Sequence, residues 1–180
     1  MDKMQFEKGQ IIVYGTSGIC VIDDIKPVKI TMDSKPELYY VLKLLKDEQS
    51  KVFVPVNNEK LTSKMRDLMK KEDIIDMLKG GRSDIMEWNT DRRERAETFR
   101  DILVDGVSDD LLRMVVCLYE RKKKLYVTGK KLPVTDGNTL KSAVKLLEEE
   151  VAYVLNIEED KVGAYIRKQL GISEDMEFEQ

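Results

Sequence analysis

Short apolar runs rich in β-branched and aromatic residues fill the first 65 positions, and helical spacing takes over near position 70. Ile11, Ile12, Val13 and Tyr14 make the first run. Ile19, Cys20, Val21 and Ile22 make the second, which extends towards Ile25, and the third runs from Tyr39 to Leu45. Val52, Phe53 and Val54, closed by Pro55, form a fourth, and Leu61 to Met65 a weaker fifth. Their lengths and composition predict strands. Gly15-Thr16-Ser17-Gly18 reads as a tight hairpin connection, its glycines free to take positive φ. Asp33-Ser34-Lys35-Pro36 and Asp47-Glu48-Gln49-Ser50 supply the next turns. Five short strands joined in order predict a small antiparallel barrel or a strongly bent sheet, since closure removes sticky edges.

Past position 70 the pattern predicts helices. Asp73 to Leu78 is short and stops at Gly80-Gly81. Asp91 to Val104 aligns Ala96, Phe99 and Leu103, with Gly106 after its end. Ser108-Asp109-Asp110 reads as the cap of a helix striped by Leu112, Val115, Val116 and Tyr119. Thr135-Asp136 reads as the cap of a long helix whose Leu140, Val144, Leu147, Val151 and Val154 form a packing seam. A last helix from about Asp160 carries Val162, Tyr165, Ile166 and Leu170 and stops at Gly171. The expectation is an α+β chain of two domains. Residues 1–68 form an antiparallel β barrel or sheet, residues 69–171 an all-α bundle, and residues 172–180 an acidic, frayed tail.

Composition narrows the chemistry. Of 180 residues, 31 are basic and 34 acidic, a net charge of −3, which excludes a uniformly basic nucleic-acid coat but permits a local patch. The absence of histidine removes Ser-His-Asp and Cys-His catalysis and histidine-bound metals. Cys20 and Cys117 stand apart in apolar runs, which fits core thiols in a reducing, cytoplasmic setting. Neither a phosphate-binding glycine loop nor a dinucleotide fingerprint is present. Glu148-Glu149-Glu150 looks like paired carboxylates, but consecutive helical residues point about 100° apart, so a solvated face is expected. No apolar stretch is long enough to span a bilayer, and Met1 to Lys8 lacks the apolar core of a signal peptide. The expectation is a non-enzyme with no cofactor, no metal, no membrane contact and no small-molecule substrate.

The basic residues carry more. Arg92, Arg93 and Arg95 open the helix after Trp88, and Arg121, Lys122, Lys123 and Lys124 close the next. The second cluster is equally well read as compensation of a helix dipole. The first is not, because cations at a helix start meet the positive end of the dipole, so nearby acids or a nucleic-acid phosphate must offset them. Trp88, the sole tryptophan, lies outside the apolar stripes. It is either a staple on its own helix or an exposed ring suited to a base step beside phosphate-holding arginines.

Gln10 to Ile22 resembles the opening hairpin of the CarD/CdnL transcription regulators, a module shared with the transcription-repair coupling factor. Tyr39-Tyr40-Val41-Leu42-Lys43-Leu44 resembles that family's third strand, and Val52-Phe53-Val54-Pro55-Val56-Asn57-Asn58 its fourth strand and turn. The order of Trp88, arginines, Gly106 and two long helices is similar as well. The resemblance implies a Tudor-like domain that docks on the β subunit of bacterial RNA polymerase through Lys51, Val52, Phe53, Val54 and Pro55. It further implies a helical domain that contacts promoter DNA at the upstream edge of the melted bubble. There Trp88 would be the wedge, with Arg92, Arg93, Arg95, Lys122, Lys123 and Lys124 on phosphates, stabilising the open complex of a cytoplasmic, nucleoid-associated assembly. Phe53 stands where members often carry a basic residue, which shifts docking towards apolar contact and Lys51. The rival reading is a protein-interaction adaptor whose helical half does not touch DNA, and a buried Trp88 would favour it.

Overall fold

A computed structural model describes residues 5–29, 31, 35–47, 49–80 and 85–173. The Asp33-Ser34 turn, Glu48, Gly81 and the tail beyond Ser173 lie outside the described residues. The chain divides into two compact units, Met1–Leu68 and Met69–Gln180.

The first unit is a five-stranded antiparallel sheet. β1 (Ile11–Tyr14), β2 (Ile19–Val28), β3 (Glu37–Leu44), β4 (Lys51–Pro55) and β5 (Met65–Arg66) run in the order β4-β3-β2-β1-β5. The hairpin between β1 and β2 turns through a short 3-10 segment with Gly15 at φ +49° and Gly18 at φ +94°. Those values favour glycine, and Tyr14 N–H closes the turn on the Gly18 carbonyl at 3.1 Å. Strand alternation sends Ile12, Cys20, Ile22, Tyr40, Leu42 and Val54 to one face. There Phe6 meets Tyr40 edge-on, centroids 6.2 Å apart. A register shift between Ile22 and Asp24 bulges β2 and leaves Asp23 as the extra residue.

Among the described residues β4 and β5 do not pair, so the sheet is open where a barrel was one expectation. The expected fifth strand from Leu61 is instead a helical turn, α1 (Glu59–Thr62). Asn58 caps it by accepting from Leu61 N–H at 3.2 Å, and the Thr62 hydroxyl donates to the Asn58 carbonyl. Only Met65 and Arg66 remain to pair with β1, too few to bridge the ends of the sheet.

The second unit is helical: α2 (Lys71–Leu78), α3 (Arg92–Asp105), α4 (Ser108–Val127), α5 (Val134–Leu155) and α6 (Glu159–Gln169). From Leu111 to Tyr119 every α4 residue except Arg113 is buried, which makes α4 the central helix. Leu140, Ala143, Val144, Leu147 and Val151 of α5 and Val162 and Ile166 of α6 pack into the same core. Gly80, Gly106 and Gly171 hold the left-handed conformation that ends α2, α3 and α6.

Four local expectations fail for the same physical reason, a long-range partner. Thr135-Asp136 is no cap; Pro133 holds that position, and the buried Asp136 accepts from Arg95. Ser108 is no cap; Val107 holds that position, and the buried Ser108 hydroxyl donates to Glu150. Glu150 is no solvated acid; it is buried and also accepts Met69 N–H at 2.7 Å. On α3 the inward stripe holds Arg95 and Phe99, while Ala96 is exposed.

Candidate functional site

In the sheet unit the outer edge of β4 is the exposed feature. Leu44 N–H donates to Ser50 C=O, and Val56 N–H to Leu38 C=O. With the observed register these bonds point the main chain of residues 50, 52, 54 and 56 at β3. The amides of Lys51 and Phe53 therefore face outward, while the Pro55 carbonyl accepts from Asn58 N–H. Side chains alternate in step. Val52 and Val54 belong to the core, Val54 wholly, so of the five residues expected to dock, these two offer a partner almost nothing. Phe53 is 48% exposed and lines a shallow apolar hollow with Val28, Tyr39, Pro55 and Leu61. Lys51 bonds the bulged Asp23 at 2.9 Å. That hydrogen bond and charge hold the Asp23 carboxyl below the usual aspartate range.

In the helical unit the chain before α3 is tied down by its own polar groups. Asp91 caps α3, accepting from Arg93 N–H at 2.8 Å and Glu94 N–H at 3.0 Å. Asn89 accepts Asp91 N–H at 2.8 Å and donates to Glu94. This places Trp88 over the helical core, half-buried, with the Arg95 guanidinium 4.2 Å and that of Arg121 5.1 Å from its ring centroid. Arg121 Nε is buried without a hydrogen-bond partner among the described residues, so the ring face is part of what compensates that cation.

Arg95 was expected on a phosphate. It is instead 4% exposed and spends its donors internally: Nε and Nη2 on Asp136 at 3.3 and 3.0 Å, Nη1 on the Asn89 carbonyl at 2.8 Å. Buried, and with three of its five N–H groups bonded internally, it has little to offer a DNA surface. Lys123 is engaged too, on Glu120 and on the Leu170 carbonyl at the end of α6, both at 3.0 Å. Arg92 and Lys124 are exposed, Arg93 pairs loosely with Glu97 at 3.5 Å, and Lys122 is half-buried. The sequence alone does not show the roles of Asn89, of Asp136, read there as a helix cap, or of Arg121, read there with the second basic cluster. The available signal was that Arg95, Phe99 and Ile102 share helical spacing, which puts a cation inside an apolar stripe.

Cys20 and Cys117 are buried and unpaired, and burial pushes the Cys117 thiol up. No group of acids or cysteines suited to hold a metal occurs among the described residues. No helix among them is long and apolar enough to cross a membrane.

An open antiparallel sheet presenting an unpaired strand edge is the architecture of an interaction module. Residues 6–69, the sheet unit, match the family described as the CarD-like/TRCF RID domain. The sheet unit is thus similar to the CarD-like interaction domains. No curated protein matches the chain.

Proposed function

We propose that the chain is a bacterial transcription regulator. The sheet unit binds the β subunit of RNA polymerase, and the helical unit contacts promoter DNA at the upstream edge of the bubble and stabilises the open complex. The observation that carries the first half is the free edge of β4 within a unit similar to the CarD-like interaction domains. A polymerase segment adding to Lys51 and Phe53 would gain main-chain hydrogen bonds, with Phe53 as apolar anchor. The second half rests on the exposed part of Trp88, with Arg92 and Arg93 close after it in sequence, Lys124 one turn beyond Arg121 on α4, and Lys122 in support. Such a net acidic chain binds DNA weakly alone, and tethering to polymerase raises the local concentration. The setting is that of the polymerase, the cytoplasm and its nucleoid. The Tudor-like likeness of the sheet belongs to this same reading.

The adaptor reading draws on a specific observation as well: Trp88 packs on the core between cations, and Arg95 and Lys123 are committed internally. One series of variants decides between them. Phe53→Pro removes an outward N–H without touching the ladder to β3, so the sheet stays folded and polymerase capture is lost. Arg92→Ala with Lys124→Ala leaves capture intact. In a permanganate footprint of promoter opening with saturating protein, the double variant shortens the open complex lifetime if the DNA reading holds. An unchanged lifetime establishes the adaptor.

A further inference from the structure

Nine of the ten glycines are described. Seven of these hold positive φ, and the other two, Gly137 in α5 and Gly163 in α6, lie inside helices. Glycine is a poor helix former, and neither position needs its backbone freedom. Both line one hollow of about 530 Å³ between α4, α5 and α6. At Gly163 an added Cβ would crowd Arg167 Nη1 at 3.3 Å and Val144 at 3.6 Å. At Gly137 it would meet nothing within 4 Å and would project into open space. Both glycines thus border the hollow at the expense of helix propensity.

The walls have a definite chemistry. Tyr119, Leu132, Leu140 and Val144 supply an apolar floor. Lys122, Lys131, Lys141, Lys145 and Arg167 surround it, against only Glu148 and Asp160 of opposite sign. Lys145 reaches Glu148 at 3.9 Å, and Asp160 pairs with Lys161 at 3.5 Å, outside the hollow's lining. In a chain with a net charge of −3, a concave site with this cationic excess is a local inversion. Its volume lies in the range of sites for small organic ligands. A duplex backbone needs cations but no apolar floor, so the combination selects a smaller ligand with one charged and one apolar end.

We propose that this hollow is the binding site of a small amphipathic anion, an apolar body carrying a phosphate or carboxylate head. The body lies on Leu140 and Val144 beside Gly137, and the head meets the lysines at the rim.

The test uses the full chain with octyl phosphate and octanoate as probes and octan-1-ol as the uncharged control. Binding is followed by titration calorimetry and amide chemical shifts. Both anions should bind saturably, shifting amides of α4, α5 and α6, and octanol at least tenfold more weakly. Gly137→Leu should weaken anion binding at least tenfold with the thermal midpoint unchanged or raised, because it fills the hollow and improves the helix. Lys131→Glu, at an exposed position before α5, should weaken it several-fold and decides the matter if Gly137→Leu fails to fold. Equal binding of octanol, or unchanged affinity in folded Gly137→Leu or in Lys131→Glu, overturns the proposal. So does a short DNA duplex whose own binding is lost equally in Gly137→Leu, since the hollow would then be part of a nucleic-acid surface. Equal loss with anionic lipid vesicles and none with the soluble probes would overturn it in favour of a membrane.

Discussion

Replacing Arg95 by methionine isolates the structural role of a residue whose place in the sequence suggests DNA. The side chains of Arg95 and Asp136 are each 5% exposed, so the variant strands a carboxylate in the interior. Breaking a buried pair from one side costs ~3–5 kcal/mol. Loss of the cation over Trp88 adds ~1 kcal/mol, and methionine recovers part of the lost packing, leaving about 4 kcal/mol. With a urea dependence of ~2 kcal/mol/M, the midpoint should fall by roughly 2 M. Trp88 is the only tryptophan, so its fluorescence reports the helical unit alone, and ellipticity at 222 nm checks the same transition. Arg92→Ala, an exposed neighbour, should move stability by no more than ~0.5 kcal/mol. Arg95→Met with Asp136→Leu should recover much of the loss, because it buries no charge. If Arg95→Met cost no more than Arg92→Ala, the buried ion pair would be an incidental contact and the structural assignment would fail.

Trp88→Ala should cost ~2–3 kcal/mol, about half the penalty of a fully buried aromatic plus a cation–π share. Trp88→Phe should recover over half of it, and a loss under ~0.5 kcal/mol would return the ring to the surface. Because the folded-state pKa of Asp23 is depressed, its contribution is present at neutral pH and is lost as pH falls through that value. A carboxyl-carbon NMR titration should give Asp23 a midpoint below the ordinary aspartate one, and Lys51→Met should abolish the difference. Cys20 and Cys117 should resist a thiol-specific disulfide reagent at pH 8 and react fully in urea, and rapid native labelling of either would contradict their burial.

Elements governed by neighbours in sequence were legible. The first four strands follow from short β-branched and aromatic runs punctuated by Gly15, Gly18 and Pro55, and the α5 seam from Leu140 to Val151 follows from helical spacing. The misread positions answer to partners far along the chain. Arg95 needs Asp136 41 residues away, and Ser108 needs Glu150 42 away, so no local window holds the reason for their burial. Arg95 and Glu150 still carried a trace, since each of these charged residues sits on an apolar stripe of its helix. The expected fifth strand fails because Leu61 to Met65 has too few apolar residues to favour either state, and the Asn58 cap decides it. The hollow at Gly137 left no periodic signal, because side chains from three successive helices build it together.

The shortness of the free edge on β4 sets a time scale. Two outward residues, Lys51 and Phe53, present four main-chain groups to an added strand. At ~0.5–1.5 kcal/mol each they supply at most ~6 kcal/mol, about the lower end of what association costs in lost freedom. Strand addition here can align a partner but cannot by itself retain it, and Phe53 in its hollow must supply the difference. A tether of this kind lets go easily. Occupancy would then follow the concentration of free protein, and each complex would shed its passenger and be reloaded rather than carry it indefinitely.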